Sequence, residues 1–116
     1  MRVQIASVLV IEPDPGVRRV LERGLPRHGY TVVATGSIGE ALDAMTSNAF
    51  GAFVLDSDVS DADVTALVDC LTRRCGFGVI TTAGAPRARE FALVSPHLSK
   101  PYTVRNLAAL LDQRMR

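Results

Sequence analysis

Five short apolar runs alternate with amphipathic helical patterns along the 116 residues, and this alternation constrains the fold more than any other feature. Val8-Leu9-Val10-Ile11 is apolar at every position, as a strand is when both faces of its sheet are covered. Tyr30 to Ala34 reads as a second strand, Ala52-Phe53-Val54-Leu55 as a third ending at Asp56, Val79-Ile80-Thr81 as a fourth, and His97-Leu98-Ser99 as a brief fifth. Between them the period changes from strand-like to helical. Asp14 with Pro15 behind it is a helix start, and Val17, Val20, Leu21 and Leu25 form its apolar stripe until Pro26 and Gly29 end it. Ser37-Ile38-Gly39-Glu40 has the pattern of a capping box, followed by Ala41, Leu42 and Met45 on one face. Val64, Leu67, Val68 and Leu71 mark a third helix, and Gly76 and Gly78 punctuate the chain after it. Pro86 to Leu93 gives a short helix with a poor stripe. Thr103 caps the last one, whose inner side carries Val104, Leu107, Leu110 and Leu111. Five β–α units in a single domain, residues 1–116, imply a parallel sheet with helices on both faces.

Composition narrows the function classes. A net charge of +1 gives no global pull toward nucleic acid or anionic lipid. The apolar runs are far too short to span a bilayer. Met1-Arg2 leads into Glu12-Pro13-Asp14 without a small-residue cleavage site, which reads as a first strand in a cytoplasmic protein rather than as a secretory signal. Cys70 and Cys75 have no histidine near them to complete a zinc site, and the isolated His28 and His97 lack metal-ligand spacing. Of the 13 basic residues, Lys100 is the single lysine.

In open α/β sheets, ligands bind beyond the carboxyl ends of the strands. There the sequence places Glu12 after the first strand, Asp56 after the third, Thr82 after the fourth and Lys100 after the fifth. Each has a plain structural alternative: a carboxylate can cap a helix, and a threonine can satisfy loop backbone. Taken together, two acids, a hydroxyl and an ammonium on one rim suit phosphoryl transfer to a carboxylate. In such a step Lys100 acts as a compact point charge, a task to which the planar fork of arginine is poorly suited.

Four segments resemble the response-regulator receiver domains of the CheY-like superfamily. They are the run from Val8 to Arg18, where a strand meets acidic residues; Val54-Leu55-Asp56; Ile80-Thr81-Thr82-Ala83; and Lys100-Pro101-Tyr102. The resemblance covers essentially the whole chain. It implies a doubly wound five-stranded α/β sheet of order 2-1-3-4-5 and a cis Lys100–Pro101 bond. Asp56 becomes the phosphoacceptor, served by a histidine kinase or phosphotransfer protein, with Thr82 and Lys100 contacting the phosphoryl group. Mg²⁺ is expected on Glu12, Asp56 and the backbone carbonyl of Asp58, with Asp14 as a further candidate. The output is a switched protein-interaction face read by a downstream protein, with homodimerisation an additional expectation by analogy.

The departures from the pattern define an atypical acidic pocket. Pro13 stands where the second acid of the family's pair usually ligates the metal, so the resemblance implies a weakened Mg²⁺ site. Val59-Ser60 replaces the usual Met-Pro, and Val64 replaces a glycine. The stretch between Thr82 and Lys100 is about one helical turn short, and His97 occupies the position of a switching aromatic. A pseudo-receiver, the same fold used as an interaction module without phosphorylation, is the principal alternative. A third reading, a haloacid-dehalogenase-like phosphatase built on Asp56-Ser57-Asp58, requires that motif on the first strand. Thr35-Gly36-Ser37-Ile38-Gly39 is a loop and helix cap rather than a nucleotide-binding fingerprint.

Overall fold

The computed structural model describes residues 6–59, 64–82 and 96–115. β1 (Ser7–Ile11), β2 (Thr31–Thr35), β3 (Ala52–Asp56), β4 (Gly78–Thr82) and β5 (His97–Ser99) form one parallel sheet of order β2-β1-β3-β4-β5. The described helices are α1 (Pro15–Gly24), α2 (Ile38–Ser47), α3 (Val64–Cys75) and α4 (Val104–Met115). The doubly wound architecture and strand order agree with the expectation. The short helix expected over 86–93 lies outside the described residues.

Strand alternation divides the core in two. Leu9, Ile11, Phe53, Leu55 and Ile80 face α2 and α3, where Ala41, Val68, Leu71 and Cys75 complete one cluster. Val8, Val10, Ala52, Val54 and Val79 face the other way, onto Leu21 of α1, Leu25 just after it, and Leu107, Ala108 and Leu111 of α4. Both β3 and β4 are buried along their whole length, which is why their sequences show no polar alternation. Each fully buried Leu, Ile, Val or Phe contributes roughly 1.5–3 kcal/mol relative to exposure, so these central strands anchor the sheet.

Local signals act largely as their chemistry requires. The Asp14 side chain accepts from the backbone N–H groups of Gly16 (2.8 Å) and Val17 (3.4 Å), with Pro15 opening α1. Ser37 Oγ accepts from Glu40 N–H at 3.1 Å, while the Glu40 carboxylate reaches back one residue further than a capping box requires, to the N–H of Gly36 at 2.8 Å. Thr103 and Asn106 cap α4 reciprocally.

Four expectations shift. α1 stops at Gly24, and the chain passes through a 3₁₀ turn, Leu25–His28, that accommodates Pro26 and ends at Gly29 with φ 93°. β2 begins at Thr31 rather than Tyr30; the Tyr30 side chain is buried and its hydroxyl donates to Asp112 of α4. Val20 is not in the buried stripe of α1, being 57% exposed. The helix seats Leu21 inward and brings Gly24 so close to Val104 that an added Cβ would stand 2.8 Å from Val104 Cγ2. That contact fixes the rotation of α1 and turns Val20 away. Leu42, placed on the inner face of α2, is likewise 44% exposed.

Candidate functional site

The rim at the carboxyl ends of the strands is assembled by sheet register. Ile11 pairs with Leu55, so the next residues, Glu12 and Asp56, stand side by side at the ends of β1 and β3. Asp56 pairs in turn with Thr81, and the N–H of Ser57 continues the ladder to Thr81 O at 2.9 Å. Thr82 pairs with Ser99, and Lys100 N–H donates to Thr82 O at 2.8 Å. Four strand ends thereby deliver Glu12, Asp56, Thr82 and Lys100 to one edge. The Lys100–Pro101 bond is cis, as the resemblance implied.

Glu12 and Asp56 are almost fully buried, at 2% and 4% exposure. Lys100 binds both. Its Nζ donates to Glu12 Oε1 at 2.7 Å and to Asp56 Oδ2 at 3.1 Å. The remaining carboxylate oxygens are also engaged: Glu12 Oε2 accepts from Asp14 N–H at 3.1 Å and Asp56 Oδ1 from Asp58 N–H at 3.0 Å. Burying two acids without such partners would be prohibitive, and one ammonium shared between them offsets much of that cost.

The two acids are driven apart in strength. Burial pushes the Glu12 carboxyl above its ordinary value, and the neighbouring Asp56 adds to this against the opposing pull of Lys100. Burial acts in the same sense on Asp56, but the Asp58 N–H, a hydrogen bond with Glu12 and the Lys100 charge outweigh it and hold Asp56 below the ordinary value. Asp56 is therefore the stronger acid of the pair. Burial would lower Lys100, yet its bonds to Glu12 and Asp56 hold it above the usual lysine value. A strengthened acid beside an ammonium suits a nucleophile that attacks phosphorus as a carboxylate.

Two hydroxyls remain unengaged among the described residues. Thr82 Oγ1 and the Tyr102 hydroxyl are buried with no hydrogen-bond partner. An orphaned buried hydroxyl costs stability, so Thr82 Oγ1 at a strand end beside the acids has the character of a donor awaiting a ligand. Burial, with the charge of Glu12 secondary, pushes the Tyr102 phenol up to about 12.

The expected site residues do not all converge. Asp14 is an exposed helix cap, its carboxylate committed to the start of α1, and it is not part of the buried cluster. Asp58 contributes its N–H to Asp56, while the residue itself is exposed. His97 lies in the edge strand, half-buried, opposite Ile80. Among the described residues no group of three or more His, Cys, Asp or Glu is arranged to hold a metal. Mg²⁺ usually takes one or two carboxylates from a protein, and here both buried carboxylates already hold an ammonium. The pocket, as its residues stand, does not fit the divalent-cation site that the resemblance implies.

Sequence reading passed over Arg18. Its Nη1 donates to the Glu12 carbonyl at 3.0 Å and lies where a Cβ on Gly36 would meet it at 2.4 Å, so a glycine at position 36 makes room for the guanidinium. This ties the β1 turn to the β2–α2 loop. An arginine six residues along the chain carries no local motif that would have signalled the contact.

Comparison with known proteins accords with this geometry. No family model matches the chain. The structure is similar to a CheY-like response regulator receiver domain protein from Methanospirillum hungatei, with TM-score 0.81 and 20% identity over 96% of this chain and 94% of that one. It is also similar to a response regulator protein from Burkholderia pseudomallei with a phosphorylated aspartic acid, calcium ion and citrate, with TM-score 0.78 and 24% identity over 90% of this chain and 65% of the other. HP1043, an orphan response regulator of H. pylori, gives TM-score 0.78 and 17% identity over 99% of this chain and 100% of that one. In sequence, the chain is 28% identical over 114 residues to the transcriptional activator protein PfeR of Pseudomonas aeruginosa, covering 94% of this chain but only 37% of that protein's length. The class is thus defined: an α/β protein with the CheY-like receiver fold. Within that fold the acidic pocket has its own character: Pro13 stands between Glu12 and Asp14, and Lys100 bridges the two buried carboxylates. No helix among the described residues is long and apolar enough to cross a membrane.

Proposed function

We propose that this chain is a two-component receiver in which Asp56 accepts a phosphoryl group from a histidine kinase or phosphotransfer protein. The observation that carries the reading is the ionised Asp56 held at a buried rim by Lys100 and the Asp58 N–H, at the strand end next to an unpartnered Thr82 hydroxyl. The Asp56 carboxylate attacks phosphorus, the bond to the donor breaks with its electron pair leaving on the donor, and Lys100 and Thr82 bind the transferred oxygens. Because Lys100 is bonded to Asp56 beforehand, charge placed on that carboxyl redirects the ammonium. Lys100 follows directly on the edge strand that carries His97, so the expected switch position lies on the strand that would feel this movement. The downstream partner is a protein that reads that face, the chain serves signalling rather than substrate turnover, and its compartment is the cytoplasm. Mg²⁺, which the resemblance implies, is assigned no step.

The test is intact mass after incubation with acetyl phosphate. One added phosphoryl group is expected on the wild type and none on Asp56→Asn. A wild type that never gains mass supports the second reading, the pseudo-receiver, which is favoured by Pro13 and by the engagement of both carboxylates with Lys100.

A further inference from the structure

We infer that Lys100 takes the place of a divalent cation in this pocket, so that Asp56 is served by an internal cation and the chain does not take up Mg²⁺. Three independent features point the same way. Position 13, between the two acids of the turn, is a proline and brings no oxygen ligand from its side chain. The next acid, Asp14, is exposed and spends its carboxylate on two N–H groups of α1. The two acids that are buried share one ammonium, at 2.7 Å from Glu12 and 3.1 Å from Asp56, and each places its second oxygen on a backbone N–H.

A divalent ion entering this site would have to displace Lys100 from both carboxylates or sit beside it. Displacement strips both acceptors from a lysine whose side chain is three-quarters buried. Coexistence sets three positive charges against two acids whose second oxygens are already held by backbone N–H groups. Mg²⁺ also dehydrates reluctantly and requires near-octahedral oxygen geometry, whereas a lysine ammonium needs only acceptors within reach. The internal cation is the better match to two carboxylates in contact.

The consequence for chemistry rests on the proposed phosphoryl acceptance. With acetyl phosphate as donor, the Asp56 carboxylate oxygen forms a bond to phosphorus, the phosphorus–oxygen bond to acetate breaks, and its electron pair leaves as acetate. Asp56 begins ionised, so no base is needed. Lys100 stays bonded to the developing acyl phosphate, and Thr82 Oγ1 finds the acceptor it lacks. Metal-independent modification follows.

The decisive experiment does not depend on phosphorylation. Isotope-labelled wild type is titrated with Mg²⁺ to millimolar concentration and, separately, with Mn²⁺, following the amides of Asp58 and Lys100. No saturable shift and no localised broadening are expected. Pro13→Asp, which restores a carboxylate, should gain roughly ten-fold or more in Mg²⁺ affinity, and Lys100→Met, which vacates the cation position, should gain in the same direction. Saturable Mg²⁺ shifts centred on Asp58 in the wild type overturn the inference, as does a folded Lys100→Met protein whose Mg²⁺ binding equals the wild type's. A second arm compares acetyl phosphate labelling in Mg²⁺ with labelling in a chelator. Equal labelling supports the inference, and labelling confined to Mg²⁺ overturns it. No labelling in either condition defeats the proposed function instead, and the titration still decides the cation question.

Discussion

β3 and β5 make an instructive pair. β3 is central, five residues long and buried throughout; β5 is at the edge, three residues long and at best half-buried. The site is strung between them. Asp56 arrives on β3, where Phe53 and Leu55 pack into the core, and it has little freedom to move. Lys100 arrives just after β5, tied to the sheet by its own N–H on Thr82 and to the acids by its ammonium. The acceptor is therefore fixed by packing, whereas the cation is fixed largely by charge. A ligand that alters charge at Asp56 acts on the less anchored partner.

The largest way to break this contrast lies in the centre. Gly78 of β4 is buried against Phe53, and a Cβ added there would stand 2.0 Å from Phe53 Cζ. Gly78→Ala should cost about 3 kcal/mol or more in urea denaturation, at the upper end for overpacking, because the obstacle is a ring enclosed in the core. The double variant with Phe53→Leu should recover part of that loss, a coupling that a double-mutant cycle measures. If Gly78→Ala proves as mild as an edge substitution such as His97→Tyr, the centre is less rigid than the packing implies.

A smaller effect is expected where the two regions meet. Lys100→Met leaves two buried acids without their cation and should cost about 2 kcal/mol near neutral pH, less than a fully buried pair because Lys100 is 23% exposed. Adding Glu12→Gln should return most of it. Failure of that rescue would mean that Lys100 stabilises the edge through its stem rather than through charge.

The alkaline limb sharpens the same point. Tyr102 titrates near 12 in the folded chain, above the ordinary value of 10. A raised folded value means that the stabilisation is complete below the unfolded pKa and declines as pH rises from about 10 toward 12. Lys100, also raised, adds to the loss in the same direction above its ordinary 10.5. Ultraviolet difference titration should show one tyrosine ionising near 12 and vanishing in Tyr102→Phe. Denaturation midpoints of that variant should fall less steeply above pH 10 than those of the wild type.

How much of this was legible in the sequence follows from the kind of interaction involved. Strands buried on both faces announce themselves as unbroken apolar runs, so the order of elements and the strand ends could be read directly, and with them the positions of Glu12, Asp56, Thr82 and Lys100. Helix rotation could not. Val20 and Leu42 match a helical stripe but lie outside it, because contacts such as Gly24 on Val104 are set by pairs 80 residues apart in sequence. The same limit hid Tyr30 on Asp112 and above all the sharing of Lys100 between two acids, while Arg18 on the Glu12 carbonyl follows no local motif. Pro13 was legible as a missing ligand. What replaced the ligand was legible only in three dimensions.

The smallest expected effect tests whether the rim is built for structure or for a ligand. Thr82 Oγ1 is fully buried and has no hydrogen-bond partner among the described residues. A hydroxyl kept for stability would lose energy on removal; one left unsatisfied costs energy while it stays. Thr82→Val keeps the shape and deletes the oxygen, so it should be neutral or stabilising by up to about 1 kcal/mol. In the proposed receiver it should at the same time slow the labelling of Asp56 by acetyl phosphate. Unfolding and labelling are measured on the same preparation. A variant that is destabilised and labels normally places Thr82 with the scaffold of β4 rather than with a ligand site.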